Sequence, residues 1–426
     1  MRHEELNALR IGNVMRSIRM EKDVPIKSIA STLHVSESTI SQLETGKNLA
    51  SMERCKDVFL AYDCQFDYDA DFNVVRNDLF EFYKSYCQVN EESLVEQMKS
   101  YFNTRKYFYS FGRFEFVLIL YLYSIVSEKL YIVEKYRLDE IIEFGLSSLN
   151  VKEKSIYYDL KSTYYFWQHQ INEARTYIVK SLELDSYNFM TNYHYGLINL
   201  RMGYFMVASK YFDLVTKEAC NLVIFERLLY ITLCKSIILL YTYQFDDAMH
   251  MSLNLLKECK KRENSLRLQK SIISNIALNY LLQKKYVEAL NWINKVDEKN
   301  MDEREMMYKI YSLYRLKQYD QCRFFIKIYS DILNHSRYSK EFIKGIKYSM
   351  SGKSDKCIYC LEICYKIAKI NGEIDKAILI LRVLENLYFE FNYSDKLQRV
   401  YEIFNEFYKM SYSNNVIEYV DIELID

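Results

Sequence analysis

Small side chains recur at nearly regular intervals over more than half of this chain. Each one follows a short polar turn and an aromatic residue, as in the segment from Tyr286 to Ala289. Successive small positions lie 34, 40, 41, 33, 35 and 40 residues apart, with a leucine in the last place. Such a spacing predicts helical hairpins in which a small side chain lets two antiparallel helices approach closely. The seven positions are Ala174, Ala208, Ala248, Ala289, Cys322, Cys357 and Leu397.

The supply of turn-forming residues points to the same class of structure. Among 426 residues there are 1 Pro and 9 Gly, too few for the turns of a sheet-rich fold. Hydrophobic residues make up 50% of the chain, which allows a large buried core, and the length suggests two or more units. We therefore predict an all-α protein. The 41 Tyr suit half-exposed grooves, because tyrosine buries area and keeps a polar tip.

The repeating pattern resembles the tetratricopeptide repeat, a helix-turn-helix pair of about 34 residues. Gly196 and Ala277 each lie 12 positions before a small anchor, where that family places a small residue in the first helix of a pair. The resemblance covers about residues 140–415, with weaker helical pairs expected from 75 to 140. It implies a right-handed α-solenoid whose concave face, lined by the first helices, binds ligands. A generic helical bundle with chance spacing is the alternative.

A second pattern lies near the start of the chain, from Ile29 to Lys47. Ser36 is a favourable N-cap, and Gly46 stands where a helix commonly ends in a left-handed residue. Between them, the helical angle of 100° per residue directs Ile40 and Leu43 to one side. The opposite side carries small polar residues that fit a DNA groove.

This segment resembles the helix-turn-helix of the phage-repressor (Cro/C1, Xre) family over about residues 8–62. Two positions depart from the family pattern: His34 replaces the turn glycine, and Ile26 replaces a phosphate-contacting glutamine. The resemblance implies a five-helix DNA-binding head, and that Glu44 pairs with Arg19 or Arg16. A helical hairpin without a DNA role is the alternative. The side chains expected at base edges are Glu37, Ser38 and Gln42, and those expected at the DNA backbone are Thr39, Ser41 and Lys47.

The charge of the chain argues against strong DNA binding. The net charge is +0, and residues 1–62 contain nine basic and eight acidic side chains. A nucleic-acid-binding domain normally carries a basic surface. Attraction to phosphate must therefore be local or arise from dimerisation.

Together the two resemblances point to the RRNPP family, cytoplasmic receptors for short signalling peptides. Membership implies a homodimeric transcription regulator on an inverted-repeat operator, with residues 1–65 binding DNA and residues 66–426 binding peptide and dimerising. In that family Asn side chains on inner helices bind the peptide backbone, to which an amide offers both a donor and an acceptor. Two alternatives are a protein that sequesters other proteins and a phage-type repressor without a peptide ligand. The candidate peptide-binding residues are Asn275, Asn279, Asn192, Asn199, Lys235 and Tyr241.

Neither an enzyme nor a cofactor is expected. The six His are dispersed, and no GxGxxG, P-loop or GxSxG motif occurs. Cys357, Cys360 and Cys364 share one helix face without a nearby His, so core thiols are favoured over a metal site. Scattered cysteines and a charged N-terminus predict a cytoplasmic protein. The longest apolar run, 116–126, is too short to span a membrane and predicts a buried helix.

Overall fold

A computed structural model describes residues 8–48, 50–88, 91–104, 107–222, 224–262, 265–333 and 336–412. These residues form 24 α-helices and short 3₁₀ turns, and they include no β-strand, only one isolated bridge between Asp67 and Ser110. The predicted all-α class is confirmed. The chain divides into two compact units, residues 1–167 with 176–191, and residues 168–175 with 192–426.

The first unit contains a small helical head followed by further helices. The helix α11 (Ile171–Leu184) contributes its first residues to the second unit and the rest to the first. The other helices of the first unit are α1 (Ala8–Glu21), α2 (Ile26–Thr32), α3 (Glu37–Glu44), α4 (Met52–Ala61), α5 (Phe72–Cys87), α6 (Glu91–Thr104), α7 (Arg113–Val126), α8 (Tyr131–Lys135), α9 (Leu138–Gly145) and α10 (Val151–Trp167).

The head packs closely, both internally and against the helices that follow it. A Cβ atom at Gly12 would lie 2.3 Å from the carbonyl oxygen of Leu43, so α1 and α3 touch through their backbones. The ring of Phe59 stacks on Phe66 with centroids 3.8 Å apart, and Phe66 meets Phe111 edge-on at 4.9 Å. Nearly all of α7 is buried, as its apolar sequence predicts. The head and α7 therefore share one core.

Buried charges join α1 to α7. Arg10 donates from Nε and Nη2 to the carbonyl oxygen of Phe111, at 3.2 and 3.1 Å, and forms an ion pair with Glu115. Both side chains of this pair are almost completely buried. A second ion pair links Glu21 of α1 to the buried Arg113. Removing Glu115 or Glu21 would take the carboxylate of the ion pair away from a buried arginine, which is strongly destabilising.

The second unit is an array of antiparallel helix pairs, as the repeats predict. The short helix α20 follows α19 within one pair. The helices are α12 (Phe189–Arg201), α13 (Phe205–Leu222), α14 (Phe225–Tyr241), α15 (Phe245–Cys259), α16 (Leu266–Leu282), α17 (Tyr286–Ile293), α18 (Glu303–Arg315), α19 (Tyr319–Ile328), α20 (Ser330–Leu333), α21 (Arg337–Met350), α22 (Ser354–Ile370), α23 (Ile374–Glu390) and α24 (Ser394–Ser411).

The turns of this array repeat one backbone geometry. The residue five positions before each of the seven anchors has a positive φ, and only two of these seven residues are glycine. An eighth turn of this kind, which the anchor spacing does not predict, joins α22 to α23, and in it Gly372 precedes the buried Ala377. A left-handed residue at the same place in each turn ends the preceding helix in the same way. The seven residues are His169, Gly203, Tyr243, Lys284, Lys317, Gly352 and Asn392.

We predict that alanine substitutions at the two glycine turns have unequal costs. Gly352 has φ +72° and open space around its Cα, so Gly352→Ala should cost only the left-handed backbone strain, about 1 kcal/mol. At Gly203 a Cβ would also lie 2.9 Å from side-chain atoms of Ile374 and Met410, which adds at least about 1 kcal/mol of overpacking. Urea denaturation of both variants measures the difference. Equal costs would contradict this account of the turn at Gly203.

Candidate DNA-binding and ligand-binding surfaces

The corner between α2 and α3 has the geometry of a helix-turn-helix. The hydroxyl oxygen of Ser36 accepts a hydrogen bond from the backbone N–H of Thr39 at 3.1 Å, the predicted N-cap. His34 adopts φ +51°, so the turn keeps a left-handed conformation although histidine replaces the glycine of the family pattern. Gly46 ends α3 with φ +69°. Its Cα lies so close to α1 that a Cβ would be 2.4 Å from the Cα of Leu9.

The outer face of α3 presents polar side chains to solvent. Five of the six predicted DNA-contacting residues are exposed, namely Glu37, Ser38, Ser41, Gln42 and Lys47. The sixth, Thr39, is half-buried, and its hydroxyl lies 2.8 Å from that of Ser36.

Asn48, which the sequence did not single out, contacts Gln42, the residue predicted to read a base. The side-chain amide of Asn48 donates to Oε1 of Gln42 at 2.8 Å. This contact orients the Gln42 carboxamide. It uses the oxygen of Gln42, so the side-chain N–H groups of Gln42 can still donate. The sequence signal for this contact is that Asn48 follows closely after the turn at Gly46.

Glu44 supports α3 from inside the head. Its carboxylate accepts two hydrogen bonds from Arg19, at 2.6 and 2.9 Å, and a third from the hydroxyl of Tyr62 at 2.9 Å. Arg16, the other predicted partner, instead places its guanidinium 5.4 Å from the ring centre of Phe144. The Arg19–Glu44 pair is buried, with 9% and 3% of the two side chains exposed. The predicted pairing of Glu44 is therefore with Arg19, and the pair is buried rather than exposed on the surface, because Tyr62 and the core cover it.

We predict that Glu44→Ala destabilises the head by about 3–5 kcal/mol, since it leaves the Arg19 guanidinium buried without its carboxylate. A double-mutant cycle with Arg19→Ala should give a large coupling free energy, and the matched cycle with Arg16→Ala should give none. Thermal denaturation of the head, measured for each variant, gives the coupling free energy of both cycles. A cost below about 1 kcal/mol, the value of an exposed pair, would contradict the buried geometry.

Two predicted ligand residues on α16 make hydrogen bonds within the protein. The side-chain amide of Asn275 donates to the hydroxyl of Ser236 on α14 at 2.9 Å and to that of Ser252 on α15 at 3.3 Å. Asn279 donates to the carbonyl oxygen of Phe245 at 2.9 Å and accepts from Gln283 at 2.5 Å. Both side chains are buried. Each therefore links neighbouring helix pairs, and contact with a ligand stays a prediction for both.

The other four candidates are distributed over α12 and α14. Asn192 and Asn199 are buried on α12, and Asn199 donates to the carbonyl oxygen of Tyr195 at 2.7 Å. Lys235 forms an ion pair with Asp213 at 2.7 Å. Tyr241 stacks on Phe205, with ring centroids 5.6 Å apart. Their roles in ligand binding also stay predictions.

We predict that Asn275→Ala lowers the free energy of unfolding by about 1–3 kcal/mol, because two hydroxyls would lose a buried partner. Asn254→Ala is a matched control, since Asn254 is exposed on α15 near the ring of His250 and should cost little. Urea denaturation of the two variants measures the difference. A stability of Asn275→Ala equal to that of the control would show that the hydrogen bonds to Ser236 and Ser252 contribute nothing.

The three cysteines of α22 lie in the core. Cys357, Cys360 and Cys364 are buried, and Cys364 lies 3.3 Å from the carbonyl oxygen of Tyr338, to which its thiol donates. Burial raises the pKa of the Cys360 thiol to about 11, so it stays protonated at neutral pH. Within the described ranges, no group of three or more His, Cys, Asp or Glu could hold a metal ion. In the same part of the chain, no helix has both the length and the apolar character needed to cross a bilayer.

Comparison with known proteins agrees with both geometries. The family model described as helix-turn-helix matches residues 15–68. A Rap protein solved in complex with competence and sporulation factor aligns over 79% of this chain and 98% of its own, with a TM-score of 0.64 and 12% identity. The chain has the fold of Rap and NprR. NprR in complex with its cognate peptide NprX aligns over 78% of this chain and 99% of its own, with a TM-score of 0.62 and 14% identity.

A second NprR structure gives the same result. The apo form of the quorum sensor NprR from B. thuringiensis aligns over 79% of this chain and 99% of its own, with a TM-score of 0.54 and 12% identity. No curated protein sequence matched. The predicted helix-turn-helix head and repeat solenoid are thus confirmed as folds.

Proposed function

We propose that this protein is a peptide-sensing DNA-binding regulator of the RRNPP type. The observation that carries the proposal is that one chain joins a helix-turn-helix domain, with its polar α3 face exposed, to the fold in which Rap and NprR were solved with their peptides. Residues 1–65 bind DNA, and residues 66–426 bind a short signalling peptide and form the dimer. The protein acts in the cytoplasm, and it has no catalytic role.

In this proposal α3 enters the major groove of an inverted-repeat operator, one copy in each half-site. Glu37, Ser38 and Gln42 face base edges, while Thr39, Ser41 and Lys47 contact the DNA backbone. The contact with Asn48 supports the role of Gln42, because a carboxamide held in one orientation loses less freedom when it pairs with adenine. The nearly balanced charge of the head leaves phosphate attraction to local basic side chains and to the second subunit.

The contacts of α1 with α7 and with the turn that follows α9 define how a peptide can act. The ion pair of Arg10 with Glu115 and the hydrogen bond of Asn13 to Ser147 at 3.0 Å hold the head to the rest of the first unit. The head therefore moves together with α7. Peptide binding changes the distance between the two heads of the dimer, and with it the fit to the two half-sites of the operator.

We predict that Gln42→Ala relaxes sequence preference at one base pair in each half-site. A bidentate contact of a carboxamide with adenine is worth about 1–3 kcal/mol of discrimination. Selection of binding sites from a random DNA library, with the full chain as wild type and variant, measures the preference. Gln97→Ala is the control, because Gln97 is an exposed glutamine on α6 that donates to Ser93. Identical preferences for wild type and Gln42→Ala would contradict the placement of α3.

Capture of another protein by the repeat domain is the second candidate function. The charge of the head favours it, since nine basic against eight acidic side chains give little general attraction to DNA. Retention of the full chain on non-specific DNA at low salt separates the two functions. A regulator should be retained and released by added salt, whereas a sequestering protein without DNA binding should not be retained at any salt concentration.

A further inference from the structure

The first helix of the last pair, α23, carries four polar residues on one face. They follow one another at intervals of seven, four and four positions, which places their side chains within about 80° of one another around an α-helix. On the opposite side, α23 buries apolar residues such as Ala377 and Leu384, and it packs against α22 and α24. We call the polar face of α23 the polar stripe, and it consists of Asp375, Arg382, Asn386 and Glu390.

The first part of the polar stripe contacts the first two helix pairs of the second unit. Asp375 forms an ion pair of 2.5 Å with Arg201, at the end of α12. The hydroxyl of Tyr241, at the end of α14, donates to the backbone carbonyl oxygen of Asp375 at 3.4 Å. Further along the stripe, Nη2 of Arg382 donates to the hydroxyl of Tyr243, in the turn after α14, at 2.6 Å. The polar stripe therefore joins the last pair of this unit to the first two pairs.

The last part of the polar stripe contacts α18. The side-chain amide of Asn386 donates to the hydroxyl of Tyr311 at 3.3 Å, and Glu390 forms an ion pair of 2.7 Å with Arg315. Helix α16, which carries two of the candidate peptide-binding asparagines, packs against both α14 and α18. Helix α23 thus contacts the first helices of the pairs on both sides of α16.

The contacts of the polar stripe are of a kind that separates easily. The side chains of Arg201 and Glu390 are 33% and 42% exposed, and partly exposed ion pairs contribute little to stability. Among the described residues, Oδ1 of Asp375 is buried without a hydrogen-bond partner, so the stripe is incompletely paired where it docks. The stripe can therefore leave the other pairs while the apolar side of α23 stays packed on α22 and α24.

We propose that α23 is an internal competitor of the peptide, docked by its polar stripe on the concave face, and that a peptide binds by displacing it. This inference rests on the proposed peptide-sensing function. The first helices of the pairs line the concave face of such an array, and the stripe contacts three of them, α12, α14 and α18. A peptide that crosses α16 meets α23 there. Carbonyl oxygens of the peptide can replace the stripe as acceptors for Arg201 and Arg315.

A disulfide bond that holds α23 in its docked position tests the proposal. A Cβ atom at Gly203, between α12 and α13, would lie 3.5 Å from Cβ of Ile374, the first residue of α23, a separation that a disulfide can bridge. The variant Gly203→Cys/Ile374→Cys is immobilised as the full chain and exposed to a pool of random synthetic heptapeptides, and retained peptides are measured by mass spectrometry. The oxidised variant should retain at least about tenfold less than the reduced variant, because few molecules expose the concave face. Wild type under the same two conditions is the control and should retain equal amounts.

A second variant tests the proposal in the opposite direction. Asp375→Asn/Glu390→Gln weakens the docked state and so raises the fraction of molecules with a free concave face. Retention of the same peptide pool should increase about threefold or more over wild type. Asp320→Asn/Glu258→Gln is the matched control, because it removes one Asp and one Glu charge from exposed ion pairs on α19 and α15. This control should retain peptides as wild type does.

Two results would overturn the inference, and they can be told apart. If wild type retains peptides, and the oxidised and reduced cysteine variants retain equal amounts or Asp375→Asn/Glu390→Gln retains no more than wild type, a peptide does not displace α23. The proposed peptide-sensing function then stands. If neither wild type nor any variant retains a peptide, the peptide-sensing function fails and the inference fails with it.

Discussion

The ion pair between Arg10 and Glu115 is the constraint on which the proposed mechanism depends. Glu115 is completely buried, and burial raises its pKa to about 7 in spite of the nearby Arg10 charge. Because this pKa lies above the ordinary value of 4.5, titration of Glu115 lowers stability as pH rises from about 4.5 to about 7. Removing the arginine or the carboxylate would strand the other group in the core, so the contact ties the head to α7.

This constraint gives the head a fixed place within the first unit. Arg10 also binds the backbone of Phe111, and the aromatic rings of Phe59, Phe66 and Phe111 fill the space beside it. A head attached in this way does not act as a freely tethered domain. In the proposed mechanism, a signal that reaches the exposed polar face of α3 therefore moves α1, α3 and α7 together. This favours control through the spacing of two heads over control through order and disorder of one head.

The repeats in the second unit follow from a local rule that the sequence reveals only in part. The small anchor residues could be recognised in the sequence because a side chain buried between two close helices must be small. Their spacing predicted the turn before each second helix. The left-handed backbone of the turn residues could not be predicted, because five of the seven are not glycine. Nothing about the residue type of His169 or Tyr243 indicates a positive φ. The eighth turn, at Gly372, lies between the anchors Cys357 and Leu397, so their spacing does not predict it.

Burial decided what the sequence could not predict about the candidate sites. The polar outer face of α3 was readable from the helical period, because the apolar residues of a short amphipathic helix mark its inner side. The burial of the Arg19–Glu44 pair could not be predicted in this way, because Tyr62, which covers the pair, lies at the end of another helix. Similarly, Asn275 has the residue type expected of a ligand contact, yet its bonds to Ser236 and Ser252 come from two other helices.

The central claim is that peptide and operator binding are coupled through the full chain. Fluorescence anisotropy of a labelled operator, obtained by site selection, measures the affinity for DNA with and without a saturating amount of a peptide captured by the protein. Coupled sites should change this affinity by about fivefold or more, and the operator should change the affinity for peptide by the same factor. An affinity for DNA that stays the same at saturating peptide would contradict the claim.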